Sequence, residues 1–288
     1  MPLIFRVLFF IITPLCSFSQ SSLDPFQIYG PYGSTIYNNY SQALLNGTNC
    51  YRLKSYNQDL SKNLKKIKKI NKLYVIDLKN NNIDSLPEVI SSFRNLMYLK
   101  STGNPLKKLP ESIGLTPTIK SIILHHIKMD SLPNSFNNLG SLMELEIQVN
   151  NADTFDLKDQ LSGLYNLKSL IIYKNNLKAF PIGLDRNKKL KKVLIVNSGI
   201  TQLDSSFASM QIIQILNLDK NNLEEFPTEI LGLKTLKELS LRDNKLTYLP
   251  EDINNLKGLE VLDISGNKIP QVEIDVLKIL LPHCKIIF

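Results

Sequence analysis

The histidines are the residues of this chain best suited to acid–base or metal chemistry, because imidazole exchanges a proton near neutral pH and binds metal ions readily. His125 and His126 are adjacent, which places them on opposite sides of a strand or its turn, and no carboxylate or cysteine stands at metal-ligand spacing from them. His283 stands alone, and the sequence contains no glycine-rich phosphate loop. We therefore expect no catalysis, no metal site and no cofactor, so the chain is predicted not to be an enzyme.

Residues 1–19 are organised as a signal peptide. One charge, Arg6, precedes an apolar run over 7–12, followed by Pro14 and a small-residue stretch that ends at Ser19. A membrane anchor is the alternative, but the apolar run is far shorter than the ~20 residues that span a bilayer. Cys16 as a lipid-attachment site lacks the small residue expected just before it. We predict cleavage after Ser19, a secreted, periplasmic or cell-envelope destination, and no stable membrane span.

The overall composition excludes disorder and argues against nucleic-acid binding. Of the 288 residues 43% are hydrophobic, which is enough to build a sizeable core. The formal net charge of +8 becomes +7 without Arg6, from 33 basic and 26 acidic residues. That charge favours solubility, and aromatic and basic residues do not alternate as they do on nucleic-acid-binding surfaces.

An internal repeat of 23 residues must position any functional side chain. Leucine or isoleucine stands at the first, fourth, sixth and eleventh places, asparagine at the ninth, and Leu-Pro near the end of the unit. Nine consecutive copies begin at Leu73, Leu96, Ile119, Leu142, Leu167, Leu190, Ile213, Leu236 and Leu259. The fourth and sixth places predict a short β-strand with one buried face. The asparagine predicts a ladder that satisfies backbone groups where the chain leaves each strand.

The pattern resembles that of the leucine-rich-repeat family, specifically the class with repeats of roughly 23 residues. Within that class it resembles the secreted bacterial proteins. The resemblance implies an α/β solenoid shaped as a curved horseshoe, with a parallel β-sheet on the concave face and short helices or 3-10 turns on the convex face. It covers 73–281 as nine repeats. It also implies a binding module, since stacked units offer a continuous inner surface.

Both ends of the solenoid are expected to be capped. Residues 20–49 are interpreted as a flap with one helix at 41–45, and 50–72 as a degenerate capping repeat. Its segment 64–70 has apolar residues at three-residue spacing among lysines, which predicts an amphipathic helix; a membrane-surface helix is the alternative. Residues 282–288 are interpreted as a closing strand.

The repeat geometry argues against a disulfide between Cys50 and Cys284. Parallel strands lie about 4.8 Å apart, so the first and last coils are on the order of 40 Å apart, whereas a disulfide requires Cα atoms within about 7 Å. Both cysteines are expected to be unpaired and buried.

The variable positions beside the fourth and sixth places face away from the core and form the candidate site. In the central repeats they are apolar or aromatic, and at the ends they are charged. The predicted partner-binding residues are Tyr98, Ile123, His125, Ile171, Tyr173, Leu194 and Val196. Such a patch favours a protein partner. A glycan is the alternative partner, on account of Tyr56, Tyr74, Tyr98 and Tyr173.

Four residues in this region depart from the repeat pattern. Ile127 and Ser198 replace the ladder asparagine, while Asp156 and Asp204 replace the proline. At Ile127 we expect water or a shifted backbone to satisfy the groups that asparagine would otherwise bind.

Overall fold

The structure is a computed structural model and describes residues 24–150, 154–174 and 176–288. The predicted signal peptide, residues 1–19, lies outside the described residues, as do residues 20–23 of the predicted flap.

Twelve strands of the described chain form a single parallel sheet. Their order in the sheet is their order in the sequence. They are β1 (Ile36–Tyr37), β2 (Arg52–Tyr56), β3 (Val75–Lys79), β4 (Tyr98–Thr102), β5 (Ser121–Ile127), β6 (Glu144–Val149), β8 (Ser169–Tyr173), β10 (Lys192–Val196), β11 (Ile215–Asn217), β12 (Glu238–Ser240), β13 (Val261–Asp263) and β14 (Lys285–Ile287). A second, two-stranded sheet pairs β7 (Thr154–Phe155) with β9 (Asn176–Leu177).

Short 3-10 helices return the chain on the opposite, convex side of the solenoid. They cover Leu64–Lys69, Glu88–Ser92, Glu111–Leu115, Asn134–Asn138, Leu184–Arg186, Ser205–Ser209, Thr228–Gly232 and Glu251–Asn255, with a further one at Gly47–Asn49. The first of them corrects the expected amphipathic helix over 64–70. Leu64, Ile67 and Ile70 are all buried, and a spacing of three residues matches the three residues per turn of a 3-10 helix.

The core follows directly from the repeat register. Ile76 pairs with Leu99, and Leu99 with Ile122, so equivalent side chains stack in rows between the sheet and the 3-10 helices. The register survives the two extra residues before the fifth repeat, where Leu145 pairs with Leu170. The predicted horseshoe solenoid, with its parallel sheet on the concave face, is confirmed.

The predicted asparagine ladder joins neighbouring coils where a buried asparagine stands at the ninth place. Asn104 donates from Nδ2 to the carbonyl oxygen of Leu78 at 3.0 Å, and its Oδ1 accepts from the backbone nitrogen of Asn81 at 2.8 Å. In the same way, Asn244 donates from Nδ2 to the carbonyl oxygen of Leu218 at 2.9 Å. These side chains therefore replace hydrogen bonds that water would otherwise make.

The departures from the pattern are absorbed locally. At Ile127 the strand continues and its register with β6 shifts after His125, which is the shifted backbone expected from the loss of asparagine. Ser198 donates from Oγ to the carbonyl oxygen of Val196 at 3.0 Å. Asp156 and Asp204 each accept a backbone hydrogen bond from the residue two places later, at 3.2 and 3.1 Å. They thereby cap the turns that proline begins in the other repeats.

Three α-helices lie near the two ends of the described chain: α1 (Pro25–Ile28), α2 (Tyr40–Asn46) and α3 (Gln271–Leu280). Tyr40 is buried in the first coil and donates from its hydroxyl to the carbonyl oxygen of Leu64 at 3.0 Å. Cys50 and Cys284 are both free, as expected. Cys50 is buried, but Cys284 is partly exposed. The expectation of burial was wrong for Cys284 because it precedes β14, which has a strand partner on one side only.

Candidate interaction surface

The inner face is the concave surface of the sheet, and its central strip carries the predicted site residues. The register aligns Lys100, Ile123, Glu146, Ile171 and Leu194 in one row across β4, β5, β6, β8 and β10. Val196 pairs with Tyr173 in a parallel row. Residues from coils far apart in sequence therefore lie side by side.

Part of the inner face is covered by the N-terminal arm, which we define as residues 24–37. Phe26 is buried against Val75 and Tyr98, and Ile123 packs against the same cluster. Tyr98 is only 6% exposed. The expectation that Tyr98 belongs to an exposed patch was wrong, because the arm covers its ring.

Arg52 fixes the arm to the first coils. Its buried guanidinium donates to the carbonyl oxygens of Tyr29 and Ser34, both at 2.9 Å. The ammonium of Lys54 lies 4.2 Å from the centre of the Phe26 ring, a cation–π contact. The arm is therefore held by apolar packing, backbone hydrogen bonds and a charge.

A polar network occupies the middle of the inner face. Nε2 of His125 lies 2.9 Å from Oε1 of Glu146 and 3.1 Å from the hydroxyl of Tyr173. Burial acts to raise the pKa of Glu146, but the hydrogen bond and charge of His125, followed by the hydrogen bond of Tyr173 and the charge of Lys100, outweigh it, so that pKa lies below its ordinary value. Burial, followed by the charge of Glu146, raises the pKa of Tyr173. The three groups stabilise one ionised carboxylate.

Glu146 was not among the predicted site residues, although a signal for it exists. Its position and that of His125 differ by 21 residues, which makes them diagonal neighbours on adjacent strands. The same spacing joins Tyr56 to Asp77, at 2.7 Å, and Asp219 to Ser240. Polar residues 21 positions apart on the inner face therefore form pairs in this solenoid.

The predicted patch is thus divided into parts. Tyr98 and Ile123 pack against the arm, and His125 and Tyr173 belong to the polar network. Ile171, Leu194 and Val196 remain as partly exposed aliphatic residues on the neighbouring strands β8 and β10. We call these three residues the apolar patch.

The tyrosines considered for glycan binding are separated in the same way. Tyr56 donates to Oδ2 of Asp77 at 2.7 Å and remains 40% exposed. Tyr74 is partly buried against the arm, and Tyr98 is covered by it. The four tyrosines therefore do not form one aromatic platform.

Within 24–150, 154–174 and 176–288, no group of three or more histidine, cysteine or acidic side chains is arranged to hold a metal ion. None of the helices in those ranges has both the length and the hydropathy needed to cross a membrane.

Stacked coils that present a continuous inner face define a class of repeat protein, the solenoid. A family model described as "Leucine-rich repeat region" matches residues 45–194, which is just over half of the 288-residue chain. A second model, "Leucine rich repeat", matches 188–246 and 213–269. The chain belongs to the leucine-rich-repeat family.

The matches to curated relatives cover only part of the length of each relative. Keratocan of Gallus gallus is 32% identical over 110 residues, covering 38% of this chain and 30% of keratocan. Osteomodulin of Bos taurus is 30% identical over 103 residues, covering 35% of this chain and 24% of osteomodulin. The matched region spans less than a third of each relative.

Solved structures share the fold at low identity. An internalin of Listeria monocytogenes has a TM-score of 0.69 at 22% identity, covering 88% of this chain and 72% of the internalin. The ectodomain of the Arabidopsis receptor kinase HAESA, in complex with a peptide hormone ligand, has a TM-score of 0.60 at 24% identity. That match covers 76% of this chain and 38% of the ectodomain.

Proposed function

We propose that this chain is an exported binding protein that engages a protein partner through the apolar patch on its inner face. The observation that carries the proposal is the side-by-side placement of Ile171 and Leu194 on paired strands, with Val196 beside them, all partly exposed. Aliphatic side chains that face away from a complete core add nothing to the packing of that core. Rimmed by polar groups, such a patch is typical of an interaction surface.

The polar network supports the same role. His125, Glu146 and Tyr173 satisfy one another, which leaves a preorganised polar border on one side of the patch. A partner that binds the patch then gains apolar burial, of about 25 cal/mol per Å², without having to break that network. A border that is ordered before binding lowers the entropic cost of association.

The test is a crosslinking pull-down from native extract with the mature chain as bait. The double variant Ile171→Asp/Leu194→Asp places two charges in the patch and is expected to lose the partner. The matched control is Val272→Asp/Ile279→Asp, which changes two exposed aliphatic residues of α3 in the same way. The control is expected to retain the partner.

A partner captured equally by the wild type and the patch variant contradicts the proposal. If neither the wild type nor the patch variant captures a protein, and the wild type is retained on a glycan array but Tyr173→Ala is not, the partner is a glycan.

Export is the second part of the proposal and is supported by the sequence of residues 1–19. Expression with the native N-terminus in a Gram-negative host, followed by N-terminal sequencing of the envelope fraction, tests it. Gln20 is expected as the first residue. Recovery of the uncleaved chain in the cytosol contradicts it.

A further inference from the structure

We infer that the segment bound by the apolar patch is acidic, with its carboxylates lying over Lys79 and Lys100. This inference rests on the proposed function, since it identifies the chemistry of the partner at the same surface. It is carried by the charges of the inner face and by the contacts that already occupy some of them.

On β2, β3 and β4 the strands carry Lys54, Lys79 and Lys100 but a single carboxylate, Asp77. Lys79 and Lys100 lie on the paired strands β3 and β4, and neither forms an ion pair with any residue that the structure describes. Lys54, on the next strand, covers the Phe26 ring. Lys79 and Lys100 are therefore the cations of this region that remain available to a ligand.

Two carboxylates of the inner face, Asp77 and Glu146, are already engaged, whereas Glu144 on β6 is exposed. Asp77 is 6% exposed and accepts a hydrogen bond from Tyr56, and Glu146 accepts one from His125. Burial raises the pKa of Asp77, and the hydrogen bond from Tyr56, followed by the charges of the neighbouring lysines, opposes that shift only in part. As the pH falls, a carboxyl group with a raised pKa loses its negative charge earlier. Asp77 then offsets Lys79 and Lys100 less.

On the side of the patch toward the C-terminal coils, two aspartates are already paired within the protein. Asp219 is buried and is held by Asn217, Ser240 and Arg242, so its charge is compensated within the protein. Asp243 lies 3.6 Å from Arg242. Asp219 and Asp243 are therefore already paired on this side, while Lys192, two residues before Leu194 on β10, adds a further cation beside the patch.

The distances suit one extended segment. From β4 to β10 there are four strand-to-strand steps, β4–β5–β6–β8–β10, which at about 4.8 Å each amount to roughly 19 Å. An extended chain covers that distance in about six residues, at ~3.3 Å per residue. A short peptide stretch with aliphatic or aromatic side chains at one end and carboxylates at the other spans the surface.

Selection from a displayed library of random 12-residue peptides tests the inference. The full mature chain is the bait, beside Lys79→Glu/Lys100→Glu, the patch variant Ile171→Asp/Leu194→Asp, and the control Lys66→Glu/Lys69→Glu. The control makes the same change of charge at exposed lysines of the outer face. Circular dichroism and the unfolding midpoint establish that each variant is folded.

We expect the wild type to enrich peptides that combine apolar residues with aspartate or glutamate. Binding of those peptides is expected to fall on the order of ten-fold in Lys79→Glu/Lys100→Glu, to be unchanged in the control, and to weaken as salt is raised.

Two results overturn the inference and are distinguishable from each other. In the first result, the enriched peptides have no excess of acidic residues, and their binding is lost in the patch variant but unaffected by Lys79→Glu/Lys100→Glu. This result refutes the acidic partner but leaves the binding patch in place. Peptides captured equally by the patch variant, or no enriched peptides at all, refute both the acidic partner and the proposed function.

Discussion

The hydroxyl of Tyr173 lies 3.1 Å from Nε2 of His125, although the two residues are 48 positions apart and β6 runs between their strands. Glu146 on that middle strand lies 2.9 Å from the same nitrogen. Nε2 of His125 therefore carries the proton that Glu146 accepts. Three consecutive strands are joined by side chains as well as by their backbones.

Removing His125 is expected to raise the pKa of Glu146. With His125→Ala the burial of the carboxylate is no longer opposed by a charge-assisted hydrogen bond, so the pKa rises from below 4.5 toward or above that ordinary value. Carbon-detected NMR titration of the Glu146 carboxyl measures it. His126→Ala is the control, since His126 is exposed and contacts Asn150 instead. An unchanged Glu146 pKa in His125→Ala contradicts the role given to His125.

The same network predicts a pH dependence of stability. The folded-state pKa of Glu146 is lower than its unfolded value, so its carboxylate contributes stability above about pH 4.5 that is lost as the pH falls through the folded-state pKa. Denaturant unfolding of the wild type and Glu146→Gln at several pH values checks this. The difference in unfolding free energy is expected to be constant at neutral pH and to shrink below about pH 4.5. A difference that does not vary with pH is the contrary result.

Loss of a ladder asparagine is expected to destabilise the solenoid. Asn104→Ala leaves the backbone nitrogens of Asn81 and Ile83 and the carbonyl of Leu78 without their partners in a buried environment. We expect a loss of about 2–4 kcal/mol of unfolding free energy, measured by urea denaturation. Asn222→Ala, at an exposed position, is expected to change it by less than about 0.5 kcal/mol. Similar effects of the two substitutions would contradict the ladder.

The N-terminal arm is expected to detach when its anchor is removed. Phe26→Ala removes the ring that packs on Val75 and Tyr98, at a cost of about 3 kcal/mol to the docking of the arm. Hydrogen exchange measures the effect at amides of residues 24–37, such as that of Tyr29, which is bonded to the Pro25 carbonyl. Tyr32→Ala, at a fully exposed site of the same arm, is the control. Unchanged protection in Phe26→Ala would contradict this anchoring.

In the mature chain, which lacks Cys16, Cys50 and Cys284 are expected to react at different rates. Burial raises the pKa of the Cys50 thiol to about 12 and that of Cys284 to about 11, which suppresses the reactive thiolate at pH 8. Cys284 is partly exposed and is expected to react slowly with Ellman's reagent, while Cys50 reacts only after denaturation. Two thiols released in guanidinium establish that no disulfide is present. Rapid reaction of both cysteines in the folded protein would contradict the burial of Cys50.

The strands and turns that recur with the 23-residue period were predictable from the sequence, because every coil must bury the same positions and satisfy the same backbone groups. The alternation of leucines specifies a strand, and the ladder asparagine specifies where the chain leaves it. The three-residue spacing of Leu64, Ile67 and Ile70 also indicated a helical turn, but assignment to a 3-10 helix required the observed hydrogen bonds. At Ile127 the sequence left open whether water or a shifted backbone replaces the asparagine, and the structure has a register shift there.

By itself the sequence determined the coils, the parallel sheet, the ladder and the separation of Cys50 from Cys284, because these depend on a periodic pattern that local physics repeats in each unit. The tertiary structure alone decided that the arm covers Tyr98 and that Glu146 divides the predicted patch. Both depend on which side chains meet across strands, and the arm lies outside the repeat altogether. Contacts between non-equivalent positions leave no period in the sequence, since their energy arises only when the coils are stacked.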